Sequence, residues 1–134
     1  MDFNNILQIL LSGFIVGIIF FQTAIAAPIV FSYLKKDQSR IFIRSVFPKI
    51  FTILLCNGII MIFLNFYFDV NNNIQHSVGF TTFVLPLICL LMVPATNEAT
   101  DSNNIKRFKI LHTLSVIFTM TVLIINIIWP FYIK

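Results

Sequence analysis

Charged residues are scarce in this sequence, and their absence from four long stretches is its most informative feature. Asp, Glu, Lys and Arg make up 10% of the 134 residues, against about 25% in soluble domains. Hydrophobic residues make up 58%, and the mean hydropathy is +0.94. This composition excludes an ordinary soluble domain and is typical of an integral membrane protein, whose main partner is the lipid bilayer.

The uncharged stretches are long enough to cross a membrane, since each can hold the ~20 apolar residues that a membrane helix needs. They cover residues 3–34, 50–68, 70–97 and 110–133. We place the membrane spans at about residues 6–31, 46–68, 74–94 and 110–133. Pro86 interrupts the short third span, which predicts a kinked or tilted helix there.

The connections between these spans are short, so successive helices should be antiparallel neighbours. The predicted fold is therefore all-α: an integral membrane four-helix bundle with up-down-up-down topology. The loops are too short to fold by themselves, and we assign residues 1–134 to a single transmembrane domain.

Basic residues are missing from the middle loop, DVNNNIQHS, which carries Asp69 and neither Lys nor Arg. Eight of the nine Lys and Arg residues lie in or beside the first and third loops. Because short cytoplasmic loops are rich in Lys and Arg, these two loops should be cytoplasmic and both termini outside. We expect the cell membrane, in a bacterium the inner membrane, and no nucleic-acid partner.

Disulfide and catalytic motifs are also missing. The two cysteines, Cys56 and Cys89, fall within predicted spans and form no CxxC, so no disulfide framework is indicated. The sequence has no HExxH, no GxSxG, no P-loop and no glycine-rich dinucleotide motif. These absences favour a protein that is not an enzyme.

Polar residues follow helical spacing in two of the spans. Asn57, Met61 and Asn65 lie four residues apart in the second span, and the fourth span has a stripe of His112, Ser115, Thr119 and Asn126. Since a polar group in lipid has no partner, both stripes should face the bundle interior. They would either join helices by hydrogen bonds or line a wet cavity.

Gly13 and Gly17 form a GxxxG pattern in the first span. Small residues at this spacing let two membrane helices approach closely. The pattern predicts helix packing, either within the bundle or between two copies in a homo-oligomer.

Several polar and helix-ending residues are predicted to meet at the cytoplasmic ends of the four spans. This candidate cluster consists of Pro28, Arg44, Pro48, Asn97, Lys109, His112 and Ser115. His112 is either a polar residue at a helix start or a group for proton transfer or anion binding, because imidazole titrates near neutral pH. We expect no metal site, since His76, the other histidine, belongs to the opposite membrane face.

Four short elements resemble the transmembrane protein 205-like family, a membrane domain of unknown function. They are APIVFSYL, SRIFIRSVFPKIF, VPATNEATD and RFKILHTLSV. The resemblance marks as signature positions Pro28, Phe31, Phe47, Pro48, Pro94, Asn97, Phe108, Leu111, His112 and Ser115. It implies a small four-span membrane protein and no established activity.

Three functional hypotheses remain open. The first is a non-enzymatic membrane protein that serves a larger complex or handles a small solute, without a cofactor. The second is a haem- or metal-using oxidoreductase centred on His112. The third is a small transporter or channel, which would need an oligomer because four helices leave little room for an aqueous path.

Overall fold

The four uncharged stretches form four long helical spans in the computed structural model, which describes residues 2–133 and contains no strand in that range. The first span comprises α1 (Phe3–Phe20), a π-helical turn (Phe21–Ala26) and α2 (Ala27–Tyr33). The second is α3 (Lys36–Tyr67), and the third is α4 (Asn73–Asp101). The fourth is α5 (Ile105–Ile128) with a 3-10 turn (Trp129–Tyr132).

The π-helical turn in the first span ends at Ala26, two residues before Pro28. Proline has no backbone N–H, and its ring clashes with the carbonyl of the residue four positions earlier. A local π adjustment relieves that clash without ending the helix, which membrane helices tolerate. The chain therefore crosses as one continuous helical span from Phe3 to Tyr33.

The helices extend well past the predicted spans at one end of the bundle. Helix α3 begins at Lys36, ten residues before the predicted second span, and α4 continues past Pro94 to Asp101. At 1.5 Å per residue, a helix of 32 residues is about 48 Å long, against about 30 Å of hydrocarbon. Six of the nine Lys and Arg residues lie in these turns and in the first turns of α5, and we call this end of the bundle the basic end: Lys36, Arg40, Arg44, Lys106, Arg107 and Lys109.

The opposite end consists of the start of α1, the connection 68–72 and the 3-10 turn, and we call it the Asp69 end. Each connection between spans is short. Asp69, in the connection at this end, and Asn103, in the connection at the basic end, take left-handed backbone conformations. Asp and Asn tolerate this conformation better than most residues.

The four spans pack in a closed cycle: α1 against α3, α3 against α4, α4 against α5, and α5 back against α1. Together with the apolar composition of each span, this confirms the predicted four-helix membrane bundle. The apolar part of the core includes Ile15, Ile19, Leu54, Met61 and Val122. Most other large apolar side chains face outward, as expected for a surface in contact with lipid.

The glycines that allow close helix packing are different from those predicted. A Cβ on Gly13 or Gly17 would meet nothing within 4 Å, so the prediction that they pack within the bundle is wrong. A Cβ on Gly58 would instead lie 2.5 Å from the Phe83 nitrogen, and one on Gly79 would lie 3.2 Å from Ile62. Gly58 and Gly79 therefore bring α3 and α4 together, and contact between two copies through Gly13 and Gly17 stays a prediction.

Candidate functional site

The basic end is held together by a hydrogen-bonded arginine. Arg44 on α3 donates to the Asp101 carboxylate at 2.5 Å and to the Asn97 carbonyl oxygen at 3.2 Å, both on α4. Asp101 lies beyond Pro94 and outside the membrane-spanning part of α4. The hydrogen bond from Arg44, with the charges of Arg44 and Arg40, holds the pKa of the Asp101 carboxyl below its usual range.

A second ion pair links the ends of α4 and α5. Arg107 lies 3.2 Å from Glu98, and both side chains are about half exposed or more. Exposed pairs of this kind contribute about 0–1 kcal/mol. They join the helix ends without forming an enclosed site.

His112 lies on the exposed side of α5, with its ring stacked on Phe108 at a centroid distance of 5.6 Å. Phe108 is four residues earlier on the same helix, so this contact joins no second helix. The structure therefore does not bring His112 into the contact between Arg44 and Asn97.

The other members of the predicted cluster are also dispersed. Pro28 and Lys109 are exposed, and Pro48 is half-buried. The Ser115 hydroxyl donates to the Leu111 carbonyl oxygen of its own helix at 3.1 Å. Among the seven predicted residues, all within the described range, Arg44 and Asn97 are the pair that hydrogen-bonds.

A larger set of polar side chains is buried in the other half of the bundle, toward the Asp69 end. All four spans contribute to this set, which we call the polar core: Asn4, Asn5, Gln8, Ser12, Asn65, Gln75, Thr82, Asn126 and Trp129. Except for Asn5, which is half-buried, its members are at most 6% exposed. Buried polar groups in a membrane must find partners inside the protein.

One part of the polar core is an amide cluster, formed by Asn4, Asn5, Gln8, Asn65 and Gln75. Gln8 Nε2 donates to Asn65 Oδ1 and, at 3.4 Å, to Asn4 Oδ1. Asn65 Nδ2 donates to the Gln75 carbonyl oxygen at 3.0 Å, and Gln75 Nε2 donates to Asn5 Oδ1 at 2.7 Å. These bonds join α1, α3 and α4.

The other part is a hydroxyl cluster around Asn126, formed with Ser12, Thr82 and Trp129. The Ser12 hydroxyl donates to Asn126 Oδ1 at 2.8 Å, and Trp129 Nε1 donates to Ser12 Oγ at 2.8 Å. Asn126 Nδ2 donates to Thr82 Oγ1 and to the Val122 carbonyl oxygen, each at 2.9 Å. These bonds join α1, α4 and the fourth span.

One acceptor in the amide cluster is left over. Gln8 is fully buried, and its Oε1 has no hydrogen-bond partner within residues 2–133. An unpaired buried acceptor costs about 1–3 kcal/mol. Since the Nε2 atom of the same amide is held by Asn4 and Asn65, the position of Oε1 is also fixed.

The polar core contains no charged side chain. At the Asp69 end, within the described part of the chain, the charged side chains are Asp2 and Asp69, both exposed. The hydrogen-bonding groups of the core are therefore neutral amides, hydroxyls and one indole. Residues 2–133 contain no group of three or more His, Cys, Asp or Glu side chains able to hold a metal ion.

The sequence stripes located part of this core. Asn57, Met61 and Asn65 are buried, as predicted for the second span. In the fourth span Asn126 is buried, whereas His112 is exposed and the prediction that it faces the interior is wrong.

Sequence reasoning missed the contribution of the first span. Asn4, Gln8 and Ser12 follow one another at intervals of four residues, which is the helical signal that would have revealed them. Ile15 and Ile19 continue the same buried face. Gly13 and Gly17 lie on the outward side of this helix.

Comparison with known proteins identifies a family whose function is unknown. A family model described as "Domain of unknown function (DUF4149)" matches residues 10–110. No curated protein and no solved structure matches the chain.

Proposed function

Because the chain belongs to the DUF4149 family, whose function is unknown, we propose a function from its own residues: binding of a small polar solute inside the membrane bundle, without catalysis. The solute would occupy the polar core. The chain would act as a solute-handling membrane protein, not as an enzyme.

The observation that carries this proposal is the unpaired Gln8 Oε1 within a neutral, hydrogen-bonded core built by all four spans. A bundle that needed only interhelical hydrogen bonds would gain nothing from a buried acceptor without a donor. A small solute that reaches Gln8 would supply the missing partner.

The position of Trp129 supports a direct assay. It is the single tryptophan of the chain, 2% exposed, and its indole N–H donates to Ser12 within the polar core. A solute that enters the core should change the surroundings of this indole. The intrinsic fluorescence of the purified protein therefore reports on the site.

The experiment is a titration of the full chain in non-ionic detergent with sodium, potassium and ammonium chloride, acetamide and glycine. We expect at least one solute to change Trp129 emission with saturation, and the change to disappear in Gln8→Leu. If none of them produces a saturable change, the proposal fails.

The membrane location and family type are part of the same proposal. We place the basic end in the cytoplasm of a bacterial inner membrane, because Lys and Arg concentrate there. The resemblance at Pro28, Phe47, Pro48 and His112 supports a transmembrane protein 205-like type. A haem or metal centre on His112 stays an untested prediction, as does an oligomeric channel.

A further inference from the structure

We infer that the amide cluster is a binding site for a small monovalent cation, Na⁺, K⁺ or NH₄⁺. This assignment rests on the proposed function and narrows its solute class. The site is centred on Gln8 Oε1, within the cluster that also holds the side-chain oxygens of Asn4, Asn5 and Asn65. Its position is the half of the bundle next to the Asp69 end.

The positive charge of the proposed ligand is inferred from the atom of the amide cluster that has no hydrogen-bond partner. The side-chain nitrogens of Gln8, Asn65 and Gln75 all donate within the cluster. Gln8 Oε1 accepts nothing within residues 2–133, and a carboxamide oxygen that accepts one bond has a second lone pair. The unpaired buried atom of the cluster is thus an oxygen, which favours a cation over an anion at this position.

A monovalent cation is favoured over a divalent one because the amide cluster contains no carboxylate. Calcium and magnesium sites rely on Asp and Glu ligands, but the nearest such residues by sequence, Asp2 and Asp69, are exposed. Carbonyl-type oxygens alone can replace the hydration shell of an alkali cation, as in potassium-selective filters. Ammonium satisfies the same oxygens by donating hydrogen bonds.

The distribution of charge permits entry from the Asp69 end. Within the described chain, the Lys and Arg side chains lie at the basic end, far from the amide cluster. At the Asp69 end, Asp2 and Asp69 are exposed and would attract a cation. Asn5 is only half-buried and lies on the outer edge of the cluster, beside Gln75.

The test is the melting temperature of the full chain in detergent, followed by Trp129 emission, in four chlorides at equal ionic strength: sodium, potassium, ammonium and N-methyl-D-glucamine. A ligand that binds only the folded state raises the melting temperature by mass action. We expect at least one small cation to raise it by about 3–5 °C over N-methyl-D-glucamine. Equal melting temperatures in all four salts would overturn the inference.

Three variants locate the effect. Gln8→Leu removes Oε1 and should abolish the difference between salts. Gln22→Leu is the matched control, because Gln22 is also a buried glutamine of the first span but lies in the π-helical turn, and it should keep the difference. A Gln8→Leu protein that retains the wild-type difference contradicts the site.

Gln8→Glu covers the case in which Gln8→Leu does not fold. It keeps an oxygen at the position of Oε1 and adds a negative charge that attracts a cation. We expect a salt difference at least as large as that of the wild type, and a smaller one would count against cation binding.

The emission titration separates this inference from the proposed function. If acetamide changes Trp129 emission with saturation and no cation does, the cation assignment is wrong and the solute-binding function stands. If neither class of solute has an effect, both are wrong.

Discussion

At the scale of single residues, Asn126 is the hub of the hydroxyl cluster, because it bonds Ser12, Thr82 and its own helix. Asn126→Leu should lower the free energy of unfolding by about 1–2 kcal/mol, since an average interhelical bond in a membrane protein contributes ~0.6 kcal/mol and two partners lose theirs. Thermal unfolding followed by Trp129 emission measures the loss.

The matched control for Asn126→Leu is Thr121→Val on the same helix. The Thr121 hydroxyl bonds only the Ile117 carbonyl oxygen of its own helix, so its removal should change stability by less than ~0.5 kcal/mol. Equal losses in the two variants would argue against a stabilising role for the hydroxyl cluster.

His112 supplies a second residue-scale prediction, because it is exposed and stacks only on Phe108 of the same turn region. His112→Ala should change the unfolding free energy by less than ~0.5 kcal/mol, the range of such contacts on a helix surface. Differential scanning calorimetry in detergent checks this. A loss above ~2 kcal/mol would mean that His112 has an interhelical partner.

The sequence correctly predicted which polar residues face the bundle interior where those residues lie deep within an apolar stretch. Asn65 and Asn126 lie near the Asp69 ends of their helices, inside long apolar stretches, so facing inward was the only way to find a partner. His112 lies at the start of α5, close to headgroups and water, where an outward position costs little. The same periodicity argument therefore held for Asn126 and failed for His112.

At the scale of helices, the contact between α3 and α4 depends on Gly58. Its absent side chain leaves room for the Phe83 backbone, which a Cβ would approach to 2.5 Å. Because a backbone cannot move as a flexible side chain can, Gly58→Ala should destabilise the bundle by about 1–3 kcal/mol, the usual cost of overpacking. Chemical or thermal unfolding in detergent measures it.

Gly13→Ala provides the comparison at this scale. A Cβ there meets nothing within 4 Å, and alanine is the better helix former by up to ~1 kcal/mol. The variant should be as stable as the wild type or slightly more stable. If Gly13→Ala is as damaging as Gly58→Ala, Gly13 has a partner outside the protomer, as in the predicted homo-oligomer.

Sequence identified the helices well because charge-free stretches of sufficient length have few alternatives in a membrane. It did not locate the helix ends at the basic end, since turns such as those after Pro94 are polar enough to be read as loop. It also did not distinguish Gly58 from Gly13. GxxxG spacing indicates that another helix backbone can come close, but it does not say which side of the helix faces the bundle. In α1 the inward side carries Asn4, Gln8 and Ser12, and Gly13 lies on the other side.

At the scale of the whole molecule, the two ends of the bundle differ in charge, and this difference predicts orientation. Alkaline phosphatase fused after Asn71, in the connection at the Asp69 end, should be active in a bacterial host. The same enzyme fused after Asn103, at the basic end, should be inactive, because phosphatase folds only outside the cytoplasm. The reverse pattern would invert the topology and move the polar core to the cytoplasmic half.

The most direct test of a solute site in the polar core is NMR of the full chain in detergent with ¹⁵N-labelled glutamine side chains. The chain has four glutamines: Gln8 and Gln75 in the amide cluster, Gln22 in the π-helical turn, and the exposed Gln38 at the basic end. On titration with ammonium or alkali chloride, we predict saturable shifts of the Gln8 and Gln75 side-chain signals, with those of Gln22 and Gln38 unchanged. Unmoved Gln8 and Gln75 signals, or shifts confined to Gln38, would contradict a solute site in the polar core.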